Sequence, residues 1–68
     1  MGMRILLNGE QREFESEITL AALVLVLDLP GEGIALALNR QVVPRAQWSV
    51  LRLTEGDCVE IVRAVGGG

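Results

Sequence analysis

The dipeptide Asn8-Gly9 constrains this chain more than any other pair of residues in it. Asparagine and glycine both enter the left-handed backbone region at little cost, so together they suit the two central positions of a tight hairpin turn. The flanking residues agree. Met3–Leu7 (M-R-I-L-L) reads as a short strand, and residues 10–15 (E-Q-R-E-F-E) return antiparallel to it. The return strand is polar except at Phe14, which places it at an edge of the sheet with Phe14 alone driven deep into the core. Charges along such an edge discourage pairing with a second sheet.

A hairpin of this length needs a cover for its apolar face, and residues 20–27 supply one. Leu20, Leu23, Val24 and Leu27 fall at i, i+3, i+4 and i+7, the stripe of a helix lying on a sheet. Thr19 stands where an N-cap belongs, with Ile18 before it. The run Leu-Val-Leu-Val-Leu is also strand-like, but cap and stripe together decide for the helix. Ala21, Ala22, Leu25 and Val26 then lie on its outer face, where a neighbouring loop is expected to cover Leu25 and Val26 in part.

Residues 28–33 (D-L-P-G-E-G) are a loop, Pro-Gly being a turn marker. Ile34–Leu38 is continuously apolar and so expected inside the sheet. Asn39-Arg40 links it tightly to Gln41–Val43, which stops at Pro44. Residues 45–48 read as a helical turn with Trp48 tucked beneath, residues 49–54 as extended, and residues 55–57 as a turn. Alternation in the last strand, Cys58–Arg63, sends Val59 and Ile61 to the core and Cys58, Glu60 and Val62 to the opposite face. After it come Ala64, Val65, Gly66, Gly67 and Gly68, which offer neither a helix nor a packed strand. The expected organisation is a single domain over residues 1–63 and a flexible tail over 64–68. Its class is α+β, a ubiquitin-like β-grasp in which a four- or five-stranded mixed sheet packs on one main helix and the last strand returns to the middle.

With 68 residues, half of them hydrophobic, the core must supply the stability. One cysteine and no histidine leave no disulfide framework and no Cys/His metal site, which fits a reducing compartment. Cys58 reads as a small hydrophobe in a strand rather than a redox or persulfide site. The N-terminal residues match neither a signal peptide nor a myristoylation pattern, and residues 20–27 are far too short to span a bilayer. A cytoplasmic protein without a membrane partner is expected. A net charge of −3 with one Trp and one Phe makes a poor nucleic-acid binder and suits steering towards a basic patch on another protein. Glu10, Glu13, Glu15 and Glu17 form a solvated edge rather than a catalytic pair, and no constellation of acid and base converges anywhere, so no catalytic residue is assigned. All six cations are arginine. Genomic composition accounts for that, although a chain whose end becomes an activated acyl group would also gain from lacking amines. By itself the glycine run is either a frayed end or a backbone arm whose terminal carboxylate is the reactive group.

Ala37-Leu38-Asn39, Val42-Val43-Pro44-Arg45 with Trp48, Glu55-Gly56-Asp57 and the Gly67-Gly68 end resemble the ThiS family, the sulfur carriers of thiamine thiazole biosynthesis. The resemblance covers essentially the whole chain. Its Asn-x-x-Val-Val-Pro-Arg-x-x-Trp segment favours this branch over the related small subunit of molybdopterin synthase. It implies a carrier rather than an enzyme, with no bound cofactor. An E1-like adenylyltransferase would use ATP and Mg²⁺ to convert the Gly68 carboxylate to an acyl-adenylate. A sulfur donor protein would convert that to a thiocarboxylate. Thiazole synthase would then take the sulfur, building the thiazole from deoxyxylulose phosphate and a glycine- or tyrosine-derived imine. Gly66 and Gly67 would give the arm its reach, and any extension beyond Gly68 would have to be removed before activation. The family's helix has a polar outer face, from which Leu25 and Val26 depart, and Gly66 stands where several small residues are tolerated. A carrier for a molybdopterin or tungsten cofactor, and a non-catalytic ubiquitin-like interaction domain, are the alternatives. Docking is expected on the outer face of the last strand beside the tail, through Val62, Arg63 and Val65.

Overall fold

The computed structural model describes residues 2–15, 17–30 and 32–63. Its elements are β1 (Met3–Leu7), β2 (Glu10–Phe14), α1 (Leu20–Val26), β3 (Ile34–Leu38), β4 (Gln41–Val43), a 3-10 turn (Arg45–Gln47) and β5 (Cys58–Arg63). Five strands make one sheet in the order β2-β1-β5-β3-β4. β5, last in the chain, lies in the middle, parallel to β1 and antiparallel to β3, so the sheet is mixed. The tail residues 64–68 lie outside the described residues, as does the expected boundary between domain and tail.

Both hairpins turn on two residues with positive φ. Leu7 pairs with Glu10 across Asn8 (φ 50°) and Gly9 (φ 83°), and Leu38 pairs with Gln41 across Asn39 (φ 51°) and Arg40 (φ 72°). Two positive φ values give the turn whose twist matches that of the strands, and asparagine leads both. Arg40 is the costly member, since a long side chain disfavours that region.

The helix is short, and its ends are closed by bonds that fix its place. Its first three amide groups have no intrahelical partner. Leu20 N–H donates to the Leu51 carbonyl (3.0 Å), Ala21 N–H to the Trp48 carbonyl (3.0 Å) and Ala22 N–H to Thr19 Oγ1 (3.1 Å). Thr19 is thus the N-cap that the sequence predicts, and residues 48–51 wrap the helix start. At the other end Asp28 takes φ 56°, its N–H donates to the Leu25 carbonyl (3.1 Å), and Leu29 N–H donates to the Val24 carbonyl (3.0 Å). This left-handed ending usually employs glycine.

Leu20, Leu23 and Val24 face the sheet and are buried with Met3, Ile5 and Leu7 of β1, Leu36 and Val43 of β3 and β4, and Val59 of β5. Fully burying an aliphatic side chain contributes about 1.5–3 kcal/mol, so this layer dominates the stability. Trp48 completes one end of the core, its Nε1–H donating to the Val43 carbonyl at 3.0 Å, with the Arg45 guanidinium 5.6 Å above its ring.

Three expectations change. Phe14 is half-buried rather than deep, because it closes an edge strand with no further strand beyond it to cover the ring. Residues 49–54, expected to be extended throughout, begin in a turn at Ser49 and Val50. After a turn they make one bridge, Thr19 to Arg52, and send Leu53, wholly buried, under the helix. Leu25 and Val26 are not covered and remain 79% and 62% exposed. The reason is local: the Leu29 bond to Val24 ties the following loop to the helix end, where Leu29 packs against the core instead of over the outer face.

The division between helix faces is measurable by urea unfolding. Leu23→Ala should cost about 2–5 kcal/mol, whereas Leu25→Gln should change stability by less than about 0.5 kcal/mol. Asp28→Gly should raise stability by about 0.5–1 kcal/mol, because it relieves a non-glycine left-handed residue and removes an acid from the negative end of the helix; an unchanged or lower midpoint would contradict that reading of the helix ending.

Candidate functional site

The burial pattern of β1 alternates strictly, with residues 3, 5 and 7 under the helix and residues 4 and 6 on the far side. That far side is the free face of the sheet. On β5 it carries Cys58, Glu60 and Val62, all exposed. Strand register places their neighbours: Leu6 of β1 beside Cys58, Ala37 of β3 beside Glu60, and Ala35 beside Val62, while Val42 of β4 lies beyond Ala37. Leu6, Val42 and Val62 are large apolar side chains left in water. With Ala35 and Ala37 they make an apolar face interrupted by Glu60 and bordered by Arg4, Gln11 and Glu13. Ala35, Ala37, Val42 and Val62 are neighbours by register, and exposed apolar surface of that kind rimmed by polar groups marks a contact region.

Val62 is 59% exposed on that face as expected, and Arg63, also exposed, ends the strand. Val65, Gly66, Gly67 and Gly68 lie outside the described residues, so of the expected interface the structure places Val62 and Arg63 alone. Two contributors escaped the sequence reading. Leu6 and Val42 belong to the face, and alternation within M-R-I-L-L held the signal for Leu6, masked by the apolar residue on either side of it.

The polar groups around β5 work as supports. Asp57 Oδ2 accepts from Thr54 N–H (2.8 Å) and from Thr54 Oγ1–H (3.2 Å), and its Oδ1 accepts from Asn39 Nδ2 (3.2 Å). Glu55 Oε1 accepts from Arg4 N–H at 2.8 Å, and Gly56 N–H donates to the Arg4 carbonyl at 2.8 Å. The Glu-Gly-Asp turn is thereby fastened to the start of β1, and it delivers β5 into the slot between β1 and β3. Cys58 is a free thiol, exposed on the sheet face. Among the described residues no group of three or more His, Cys, Asp or Glu side chains is placed to hold a metal ion, and no helix is long and apolar enough to cross a membrane.

A family model described as the ThiS family matches residues 5–68. The chain is 35% identical over 66 residues to the sulfur carrier protein ThiS of Escherichia coli (strain K12), covering 97% of this chain and 100% of that protein. It is also 33% identical to a thiazole synthase of Paramagnetospirillum magneticum and 38% identical to one of Magnetococcus marinus, over 66 residues in each case. It spans only 20% of the length of each of those two proteins. Among solved structures, the crystal structure of a thiamine biosynthesis protein (ThiS) from Geobacter metallireducens superposes with a TM-score of 0.87 at 25% identity, covering 97% of this chain and 100% of that one.

The free face carries its own test. Val62→Asp should leave the urea midpoint essentially unchanged, since Val62 is solvated, yet weaken binding of a partner protein that docks on this face about tenfold or more in calorimetric titration. Unchanged affinity would remove this face from the interface.

Proposed function

The chain belongs to the ThiS family, and from that premise we propose that it is a sulfur carrier for thiazole formation in thiamine biosynthesis. One observation carries the reading above the others: the family match runs over residues 5–68 and so includes the glycine run itself. The fold supports it, because β5 leads from the centre of the sheet directly into residues 64–68.

The carboxylate of Gly68 is the reacting group. A carboxylate is a poor electrophile, and adenylation supplies a leaving group: one carboxylate oxygen attacks the α-phosphorus of ATP and pyrophosphate departs. The outer sulfur of a donor protein's persulfide then attacks the acyl carbon and AMP leaves; a second thiol takes the donor's inner sulfur into a disulfide, and the S–S bond that breaks frees the terminus as a thiocarboxylate. Nucleotide and Mg²⁺ belong to the activating enzyme, an E1-like adenylyltransferase. The groups that stabilise developing charge also come from that partner, since this chain has no histidine. Its own contribution is steric and conformational. Glycine at 66, 67 and 68 puts no Cβ beside the attacked carbon and lets the arm enter a narrow channel. With no lysine present, no side-chain amine competes for the acyl group.

Thiazole synthase is the proposed acceptor. Two thiazole synthases hold a segment like this chain within a longer polypeptide, which supports a carrier and a synthase working against each other. A cytoplasmic location fits such partners.

Intact-mass measurement after incubation with an adenylyltransferase of this class, ATP and a sulfur donor should show one oxygen replaced by sulfur. Deleting Gly68 should abolish the exchange while leaving the unfolding midpoint unaltered. No exchange on an enzyme proven active towards another carrier would refute the assignment.

A further inference from the structure

Two asparagines hold β5, one near each end and from opposite sides. Asn39 grips its start from the β3 side: Oδ1 accepts from Cys58 N–H at 3.0 Å, and the Asn39 N–H donates to the Cys58 carbonyl at 2.7 Å. Asn8 grips the other end from the β1 side. Its main-chain N–H donates to the Val59 carbonyl at 2.9 Å. Its side chain then reaches one rung further, with Oδ1 accepting from Ile61 N–H at 2.7 Å and Nδ2 donating to the Ile61 carbonyl at 3.3 Å. The carboxamide presents one acceptor and one donor to one residue, as a peptide unit of a neighbouring strand would.

That substitution matters because of where β1 ends. Its last rung pairs Leu7 with Val59, after which the chain turns away at Asn8-Gly9. On the other side β3 continues to pair with β5 as far as Arg63. Without the Asn8 side chain, β5 would be an open edge on its β1 side from Ile61 onward, three residues before residues 64–68 begin. Strand ends paired on one side alone fray readily.

We propose that Asn8 is a positioning residue for the carrier's terminal glycine, acting through Ile61 to hold the end of β5, Ile61 to Arg63, which is the root of the arm. The proposal rests on the carrier reading. An activating enzyme must receive the arm in one orientation, and a root that samples several lowers the apparent affinity by the fraction of time spent in the right one. Once the arm is bound, Asn8 is far in sequence from the reacting carbon and has no part in the chemistry. Its signature is therefore on KM and not on kcat.

The matched pair Asn8→Gly and Asn39→Gly tests this. Glycine retains the positive φ that both turns require, and Gly-Gly is itself favourable in such turns, so both variants keep the fold and lose one side-chain clamp each. Two readouts are taken on the full chain: amide exchange at Ile61 and Cys58, and ATP–pyrophosphate exchange with an adenylyltransferase that activates the unaltered chain. Asn8→Gly should speed exchange at Ile61 about five- to tenfold while sparing Cys58, and Asn39→Gly should do the reverse. Asn8→Gly should raise the carrier's KM about three- to tenfold with kcat nearly unchanged, whereas Asn39→Gly should move neither. The positioning role is overturned if Asn8→Gly leaves Ile61 exchange or KM at the unaltered value, or if both variants raise KM alike. If the unaltered chain is not activated at all, the carrier reading itself falls and takes this role with it, whatever the exchange at Ile61 shows.

Discussion

Everything in this structure depends on how β5 is held. A strand inside a sheet must have its amide and carbonyl groups paired on both sides, because an unpaired buried backbone group costs about as much as a lost hydrogen bond. β5 meets that requirement through β3 from Val59 to Arg63, through Asn39 at Cys58, and through β1 for only two register pairs. The shortfall on the β1 side is made up by neighbouring groups. Asp57 supplies a carbonyl to Leu6 N–H before the ladder begins, and the Asn8 carboxamide supplies a rung after it ends. The consequence is mechanical. Ile61 to Arg63, the last described residues of the chain, lie on the central strand of the sheet instead of at its edge.

Much of this was legible in the sequence, and the reasons are specific. Asn8-Gly9 fixed the first hairpin because its turn conformation admits few other pairs, and the Leu20–Leu23–Val24 stripe fixed the helix because Thr19 marks its start. Val59 and Val62 went to the faces that alternation assigns them. Misplaced features were those decided by neighbours distant in sequence. Phe14 was expected to be deep, but the depth of an edge residue depends on whether a further strand exists beyond it. Cover over Leu25 and Val26 depended on where the loop after the helix is tied, which the Leu29 bond to Val24 settles. The asparagines announced turns, yet their side-chain bonds to Cys58 and Ile61 join residues 19 and 53 positions apart, a relation that no local pattern records.

Among the described residues, the exposed apolar side chains of the sheet face and those of the helix have different standing. The free sheet face carries Leu6, Val42 and Val62, and Val62 stands on it next to Arg63, the last residue of β5. Leu25 and Val26 occupy one edge of a seven-residue helix on the opposite side of the molecule. Scattered surface apolar residues are ordinary, and these two add nothing to the account of the arm.

A carrier of the proposed kind reacts through the backbone carboxylate of Gly68 and through no side chain. Trapping the activated protein with hydroxylamine tests it most directly. Hydroxylamine displaces AMP from an acyl-adenylate and leaves a hydroxamate, whose position tandem mass spectrometry assigns to a residue. The account predicts one ATP-dependent hydroxamate per chain, on the α-carboxyl of Gly68. A hydroxamate on a side-chain carboxylate such as Glu60, or none while the activating enzyme is turning over ATP on this chain, would contradict it.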